Sequence, residues 1–288
     1  MNTVNTIMIN IEDEYRGLVA GILHGGKDKD DRTGTGTKAV FGRLVEHNMQ
    51  CGFPLLTGKK VSFQAAKTEL LWILNGRTDL KYLEDNGVKY WRADYERSGR
   101  TDETLGPVYG KQWRDFNGVD QLFNLVKAIK QDPSSRRLMV SAWAPHEMND
   151  MVLPPCHFSF QVFINDGKMD LMWNQRSADV FLGLPYDIAM YGLLLELLAK
   201  GTGLKANRLV GNLGDCHLYN NHFEQAEEYL SRKPYASPWV KLKNGLHILP
   251  NRNQDGWTEE LRIPELSDIY LQCYTSHPAI PAPLSVGN

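Results

Sequence analysis

The residues best suited to chemistry in this sequence lie between positions 153 and 187. Cys156 follows a pair of prolines, which stiffen the chain, and is followed at once by His157. Within the next thirty-one residues the chain adds an amide, a cation, a hydroxyl and two carboxylates, on Gln175, Arg176, Ser177, Asp179 and Asp187. A thiolate nucleophile that acts on a polar heterocycle needs groups of these kinds. We therefore predict an active site here, with Cys156 as the nucleophile.

Three further segments could complete such a site. Residues 31–37 are rich in threonine and glycine, so their NH and hydroxyl groups can face an anion beside Arg32. Arg136 and Arg137 open an apolar strand, which favours one of them pointing into a site. Glu69 lies in an apolar helical stretch, where burial would raise its pKa and suit it to proton transfer. Each segment also has a simpler interpretation. Residues 31–37 could be a flexible connection, Arg136 and Arg137 could lie on a solvated face, and Glu69 could be a surface carboxylate.

Composition excludes several classes of protein. The 288 residues carry a formal net charge of −2, so polymeric nucleic acid is not an expected partner. No apolar run is long enough to span a membrane, and the N-terminus lacks a signal-peptide pattern, so we expect a cytoplasmic protein. The 4 cysteines are far apart and show no metal-binding spacing. We expect free thiols and no metal.

The elements that must position these residues follow from hydrophobic periodicity. Helices are predicted over residues 12–23, 62–74, 121–130 and 188–200, and strands over residues 39–45, 138–143, 158–164 and 169–173. Asp166 and Gly167 predict a hairpin between the last two strands. Residues 211–222 are predicted to begin another helix that ends near Arg232. Without a repeat or a long linker, residues 1–288 are interpreted as a single domain of mixed α+β class.

A series of ordered motifs then identifies a family. The motifs occupy residues 31–37, 69–72, 105–114, 135–137, 155–157, 175–185 and 214–219. In this order they resemble the thymidylate synthase family along nearly the whole chain. The resemblance implies a thymidylate-synthase-like catalytic domain with a large twisted mixed sheet and helices outside. It also implies an obligate homodimer that packs through the sheets and shares its active sites.

The resemblance implies a role for each matching residue. Cys156 would attack C6 of a pyrimidine nucleotide, the surrounding arginines would favour its thiolate, and Glu69 would move protons through water. Tyr109 and His157 would support the reaction. The nucleotide would be held by Arg32, Gln175, Arg176, Ser177, Asp179, Asp187, His217 and Tyr219, with Arg136 and Arg137 reaching its phosphate from the other subunit. The cosubstrate 5,10-methylenetetrahydrofolate would be held by Lys59, Trp91, Asp179, Leu182, Gly183, Tyr186 and Val286.

Asp187 is the most informative departure from the family pattern. Family members that act on dUMP resemble one another in having asparagine here, which donates to O4 and accepts from N3 of uracil. Cytosine reverses both polarities, and a carboxyl group can match it. Aspartate is also what the related deoxycytidylate hydroxymethylases carry. We therefore predict dCMP as the substrate, with dUMP as the alternative, and a bacteriophage origin, since modified cytosine protects phage DNA.

The product is the remaining question. Trp91 and the C-terminal tail match family members that transfer hydride to the C5 methylene, which favours a methyl product. Arg92, in place of the usual aspartate, and the extension by Gly287 and Asn288 favour a wetter site and a hydroxymethyl product. We predict 5-methyl-dCMP, with 5-hydroxymethyl-dCMP as the alternative. A non-catalytic relative that binds nucleotide or RNA is the hypothesis from a different class.

Overall fold

A computed structural model describes residues 8–243, 249–253 and 256–285. Its α-helices are α1 (Ile11–Gly25), α2 (Phe63–Leu74), α3 (Leu80–Asp85), α4 (Trp91–Ser98), α5 (Tyr109–Arg114), α6 (Gln121–Gln131), α7 (Leu184–Thr202) and α8 (Phe223–Ser231). Its strands are β1 (Lys27–Lys29), β2 (Thr37–Asn48), β3 (Met139–Ser141), β4 (His157–Asn165), β5 (Lys168–Asp179), β6 (Lys205–Tyr219), β7 (Trp239–Leu242), β8 (Leu249–Asn253), β9 (Gly256–Arg262) and β10 (Ile269–Gln272).

The main sheet is mixed and brings the two ends of the predicted site together. Its strand order is β1-β2-β6-β5-β4-β3, in which β5 and β6 run parallel and the other neighbours are antiparallel. The parallel pairing places Ser177 opposite Asp215 and Asp179 opposite His217. Residues almost forty positions apart in sequence thus share one edge of the site. The α+β class and the large mixed sheet are confirmed.

Helix α7 forms the centre of the core and begins at the site. It is apolar on nearly every side and packs against β5, β6 and α2, which explains why its sequence lacks an amphipathic pattern. Pro185 lies in its first turn, where no backbone donor is needed, and Gly203 ends it in the left-handed conformation with φ 77°. Asp187 lies in the first turn, so a largely buried helix positions it.

Helix α1 is tied to the loop before α2 by a buried carboxylate. Glu12 accepts hydrogen bonds from the backbone NH groups of Thr57 and Gly58, at 2.6 and 3.0 Å, and from the Tyr229 hydroxyl at 2.6 Å. A side chain at position 58 would place its Cβ 2.6 Å from the Tyr229 ring and 2.9 Å from Glu12 Oε1. Only glycine fits there without a shift of these neighbours.

Two sequence-based predictions need correction. Residues 211–219 form the second half of strand β6, and the helix predicted to begin there is confined to α8. The strand predicted over residues 138–143 is only the three-residue β3. The hairpin is confirmed: Asp166 and Gly167 have φ 48° and 70°, which the turn between β4 and β5 requires.

One face of the main sheet exposes apolar side chains. Phe41 on β2 is 84% exposed and Phe163 on β4 is 65% exposed. Phe163 borders a shallow concavity of about 400 Å³ that is also lined by Leu44, Met172 and Val210. In the part of the chain that the structure describes, no helix combines the length and apolar character needed to cross a bilayer.

Candidate active site

The predicted nucleophile lines a cavity of about 450 Å³ at one edge of the main sheet. The lining residues are Lys29, Asp30, Asp31, Arg32, Thr33, Thr37, Asp94, Leu153, Cys156, Arg176, Ser177, Asp179, Asp215, His217, Tyr219, Leu284 and Ser285. A larger concavity of about 690 Å³, lined by Arg77, Tyr82 and Ser267 among others, contains none of the predicted site residues. The chemistry therefore belongs to the smaller cavity.

Cys156 is fixed by backbone contacts on both sides. Its NH donates to the Tyr109 hydroxyl at 3.0 Å, and its carbonyl oxygen accepts from the NH of Arg176 at 2.9 Å. The Arg176 guanidinium donates to the carbonyl oxygens of Pro154 and Pro155, each at 2.9 Å. Arg176 thus clamps the proline turn, and its charge lies close to the thiol.

The thiolate of Cys156 is not favoured by the residues of its own chain, and the predicted effect of arginines from the other subunit stays a prediction. Burial, with smaller contributions from the carboxylates of Asp187, Asp94 and Asp179, raises the pKa of the Cys156 thiol to about 11. Arg176 is the one cation that lowers it appreciably. Additional cations near the sulfur have to shift this balance toward the thiolate before the sulfur can attack.

The loop before β2 forms a rigid rim of the cavity. The Asp31 carboxylate accepts from the NH groups of Thr33 and Gly36, both at 2.8 Å, so the loop is closed on itself. Gly36 has φ 75°, and a Cβ there would lie 2.5 Å from the Asn220 side-chain nitrogen. Arg32 is exposed on this rim and available to an anion.

Glu69 is buried on α2 between two donors. Its Oε1 accepts from the Trp91 indole at 2.8 Å, and its Oε2 accepts from the Tyr90 hydroxyl. Burial raises the pKa of Glu69, and these two hydrogen bonds partly oppose the rise. A carboxyl group tuned in this direction is suited to proton transfer near neutral pH.

Asp187 has two neighbours within the site. Gln175 Nε2 donates to its Oδ2 at 2.8 Å, and His157 Nε2 lies 3.9 Å from its Oδ1. Burial raises the pKa of Asp187 to about 7, with Glu69 and Asp179 adding to the rise. The same carboxyl can therefore be present in neutral or ionised form near physiological pH.

His157 is held as a neutral ring. Its ring stacks on Tyr109 with centroids 4.2 Å apart, and its Nδ1 lies 2.9 Å from the Tyr191 hydroxyl. Burial lowers the pKa of His157 to about 3. The imidazole is thus uncharged at working pH and cannot serve as a counterion to Asp187.

The remaining predicted residues fall into two groups around the cavity. Asp179 Oδ1 accepts from the NH groups of Phe181 and Leu182 at 3.0 and 3.1 Å, which fixes the turn that leads through Gly183 and Tyr186 into α7. Across the cavity, His217 Nδ1 lies 3.2 Å from Asp215 Oδ1, and the His217 ring meets the Tyr219 ring edge to face. Both groups derive from the parallel pairing of β5 with β6.

Some predicted site residues are not brought to the cavity of their own chain. Arg136 and Arg137 are exposed and absent from the cavity lining of their own chain, so their predicted contact with a phosphate in the other subunit's site stays a prediction. Lys59 is buried, donates to the carbonyl oxygen of Phe181 and lies over that ring, and burial lowers its pKa to about 7. Val286 lies outside the described residues.

Sequence reasoning missed several contributors. Asp94 lines the cavity, and Tyr90 and Tyr191 contact predicted residues. The C-terminal tail, which the sequence did predict at the site, places Leu284 and Ser285 in the cavity lining; the missed contributor is the buried His222, whose Nε2 lies 2.7 Å from the Pro283 carbonyl oxygen. For Tyr90 and Asp94 the available signal was their closeness in sequence to Trp91. The contact of His222 with Pro283 gave no local signal, because the two positions are 61 residues apart.

These features define a class of protein. A cysteine in a cavity with a cationic rim, beside a buried carboxyl tuned for proton transfer, is the site of an enzyme that works by covalent nucleophilic catalysis on a small anionic substrate. Within the described residues no three His, Cys, Asp or Glu side chains gather as metal ligands.

Comparison with known proteins gives the family. A family model described as thymidylate synthase matches residues 13–286. A thymidylate synthase from Mycoplasma mobile is 42% identical over 299 residues, which cover 95% of this chain and 100% of the relative. The chain belongs to the thymidylate synthase family. It is a folate-dependent pyrimidine C5 methyltransferase, and family members bind a nucleotide and a folate and act as homodimers.

The cosubstrate of this family is methylenetetrahydrofolate, which supplies the one-carbon unit and the hydride. The residues present fit it. The cavity that contains Cys156 is bordered by the apolar side chains of Leu153 and Leu284, which can cover a flat ring system. Tyr186, whose ring lies 6.3 Å from that of Tyr90, adds aromatic surface nearby.

Proposed function

We propose that this enzyme methylates dCMP at C5, giving 5-methyl-dCMP. The observation that carries the proposal is the carboxyl of Asp187, which accepts from Gln175 at 2.8 Å and whose pKa burial raises to about 7. A neutral carboxyl offers one donor and one acceptor side by side. Cytosine presents the matching pair, an acceptor at N3 and a donor at the 4-amino group.

An ionised Asp187 supports the same substrate by a second route. It would pair with cytosine protonated at N3, and that cation is more open to attack at C6. Uracil instead brings its O4 oxygen against an acceptor, and such a mismatched buried pair costs about 1–3 kcal/mol. The raised pKa leaves both states of Asp187 accessible near neutral pH.

The other residues then have defined tasks. Cys156 adds its sulfur to C6, which makes C5 nucleophilic; after the one-carbon unit is attached and the C5 proton leaves, the sulfur is eliminated. Arg32, Arg176 and Ser177 bind the phosphate, and His217 and Tyr219 bind the 3′-hydroxyl. Glu69 moves protons, Tyr109 fixes the backbone of Cys156, and the neutral His157 lies beside Asp187.

Lys59 has a different task in this proposal. Its ammonium group contacts Phe181 rather than the cavity, so it supports the turn that follows Asp179. Leu182, Gly183 and Tyr186 on that turn, together with Trp91 and Val286, would contact the folate. The support from Lys59 is therefore indirect.

The homodimer completes each site in this proposal. The exposed apolar face that includes Phe41 and Phe163 would form the interface, since burying such side chains stabilises association. Arg136 and Arg137, exposed and outside their own cavity, would bind the phosphate in the partner's site. These added cations would lower the pKa of Cys156 toward the range in which it reacts.

The environment of Arg92 favours methylation over hydroxymethylation. Its guanidinium donates to Glu84 at 2.7 Å and to Glu103 at 3.0 and 3.3 Å, and it is absent from the cavity lining. Arg92 therefore offers no reason for a wetter site. The second argument for hydroxymethylation, the extension by Gly287 and Asn288, falls outside the described residues.

Thymidylate synthesis from dUMP is the second candidate function, because the Mycoplasma mobile relative carries that name. The deciding experiment incubates the enzyme and methylenetetrahydrofolate with dCMP or dUMP and identifies each product by mass. We expect dCMP to gain one methyl group as dihydrofolate forms. The Asp187→Asn variant should shift the preference toward dUMP, and Cys156→Ser should abolish both reactions. Exclusive turnover of dUMP by the unmodified enzyme would refute the proposal.

A further inference from the structure

A buried chain of hydrogen bonds lies behind Asp187. Trp173 Nε1 donates to Gln175 Oε1 at 3.0 Å, and Gln175 Nε2 donates in turn to Asp187 Oδ2 at 2.8 Å. Trp173 is 0% exposed and Gln175 is 3% exposed, so water does not compete for these bonds. The carboxyl of Asp187 is thus connected to a residue that is itself remote from the cavity lining.

The direction of this chain is fixed by chemistry. An indole nitrogen can only donate, so the oxygen of the Gln175 amide has to face Trp173. The amide nitrogen then faces Asp187 and also donates to the carbonyl oxygen of Ser177 at 3.0 Å. A reversed amide would set one N–H group against another in a dry environment, which is costly. Gln175 therefore donates to Asp187 and does not accept from it.

Trp173 is held in place by its surroundings. On the parallel neighbour β6 it pairs with Gly211, where a Cβ would lie 2.4 Å from the indole. On its other side the indole stacks on Tyr191, with ring centroids 5.3 Å apart and planes 7° from parallel. The missing side chain of Gly211 provides the space that sets the position of the indole nitrogen.

This matters because a neutral carboxyl is ambiguous toward pyrimidines. With the proton on one oxygen, the group donates to N3 and accepts from the 4-amino group of cytosine. With the proton on the other oxygen, the same group accepts from N3 and donates to O4 of uracil. An aspartate free to exchange these forms would pair with either base. Discrimination requires that one oxygen be kept as the acceptor.

We propose that Trp173 is a positioning residue for base discrimination, which acts through Gln175 to keep Asp187 Oδ2 as an acceptor and confine the carboxyl proton to Oδ1. An oxygen that receives a strong N–H donor is favoured as the carbonyl oxygen, because a hydroxyl oxygen accepts less well. This inference rests on the proposed function for the identity of the preferred base. The inference that Trp173 helps the enzyme to discriminate between dCMP and dUMP holds whichever of the two bases is preferred.

The test compares Trp173→Phe with Trp72→Phe. Phenylalanine keeps most of the ring and removes only the N–H donor. Trp72 is an equally buried control, whose indole donates to the Asp79 carbonyl oxygen at 2.9 Å. We expect the ratio of kcat/KM for dCMP and dUMP to fall about fivefold to tenfold in Trp173→Phe, the effect of one lost hydrogen bond. In Trp72→Phe the ratio should stay as in the unmodified enzyme. A purely structural defect would lower both rates and leave the ratio unchanged.

A double-mutant cycle with Gln175→Met supplies a second reading. If the effect of Trp173 passes through Gln175, the double variant should discriminate no worse than Gln175→Met alone. Calorimetric binding of dCMP and dUMP gives the same comparison without turnover. Additive losses, or an unchanged ratio in Trp173→Phe, would overturn the inference. A preference of the unmodified enzyme for dUMP that collapses in Trp173→Phe would refute the proposed substrate and leave this inference standing.

Discussion

The indole of Trp91 donates a hydrogen bond to Oε1 of Glu69 at 2.8 Å, and both side chains are buried. This bond stabilises the ionised carboxylate and opposes the effect of burial on the pKa of Glu69. Trp91, which the resemblance assigns to folate binding, is thus also a hydrogen-bond partner of Glu69, the proposed proton carrier. A change at Trp91 should therefore affect both proton transfer by Glu69 and contact with the folate.

Removing that donor should change the pH dependence of the reaction. In Trp91→Phe the pKa of Glu69 should rise further, because a hydrogen bond that lowers it is lost, so the acidic limb of the kcat profile should move to higher pH. Tyr95→Phe, on the same helix but bonded to the backbone of Glu103, is the matched control. Glu69→Gln should lower kcat about a hundredfold and remove the limb. A profile that does not move in Trp91→Phe would contradict the role given to this bond.

Asp187 should make stability depend on pH. Its pKa is about 7 in the folded state and close to 3.8 when unfolded, so the folded state binds the proton more tightly. Its contribution is fully present below about pH 4 and is lost as the pH rises to about 7. As the pH rises from 5 to 8, the unmodified protein should therefore lose about 2 kcal/mol more unfolding free energy than Asp187→Asn does. This figure allows for the partial exposure of the carboxyl group.

Chemical denaturation at these two pH values measures the difference. Asp166→Asn, on the exposed turn between β4 and β5, should show no such gain. Equal pH dependence in Asp187→Asn and the unmodified protein would show that the carboxyl is ionised without penalty.

Gly58 should be intolerant of any side chain. Gly58→Ala would press a methyl group against Tyr229 and Glu12, and we expect a loss of about 1–3 kcal/mol in thermal unfolding. Gly17→Ala and Gly21→Ala, on the exposed side of α1 with nothing within 4 Å, should instead stabilise by about 0.5–1 kcal/mol. Equal thermal stability of all three variants would show that the close contact of position 58 with Tyr229 does not destabilise the alanine variant.

The bond from His222 to the tail should influence the product. His222→Phe preserves ring contacts to Phe181 and Tyr219 but loses the 2.7 Å bond to the Pro283 carbonyl oxygen. A looser tail admits water to the C5 methylene, so we expect a larger hydroxymethyl fraction by mass spectrometry. His277→Phe, which removes a similar bond to the Lys233 carbonyl away from the cavity, should leave the product unchanged.

Shared sites in the dimer predict complementation. Cys156→Ser and Arg136→Ala homodimers should each be nearly inactive in the proposed arrangement. After mixing, reversible unfolding and refolding, half of the dimers are mixed and hold one intact site, so about a quarter of the activity should return. Failure to recover activity, with mixed dimers verified by mass, would place Arg136 outside the partner's site.

The sequence predicted the features that depend on neighbouring residues, such as helix starts and tight turns. The Ser62 side chain caps α2 at 3.2 Å from the Ala65 NH, and the Asp166 turn follows directly from its sequence. Strand β6 was missed because its glycines and polar residues favour a turn, whereas its partners β2 and β5 lie far away in sequence. The hydrogen-bond chain from Trp173 through Gln175 to Asp187 was not predicted for the same reason, since the position of the indole depends on Gly211 of another strand.

The close approach of Trp173 to Gly211 also constrains how this enzyme arose. A Cβ at position 211 and an indole at position 173 exclude each other at 2.4 Å, so tryptophan at position 173 requires glycine at position 211 in this packing. An ancestor that gained the tryptophan first would have carried a clash in its core. A path in which glycine at position 211 precedes tryptophan at position 173 avoids this clash. Across homologous genes, bulk at one of these positions should be inherited with a small residue at the other.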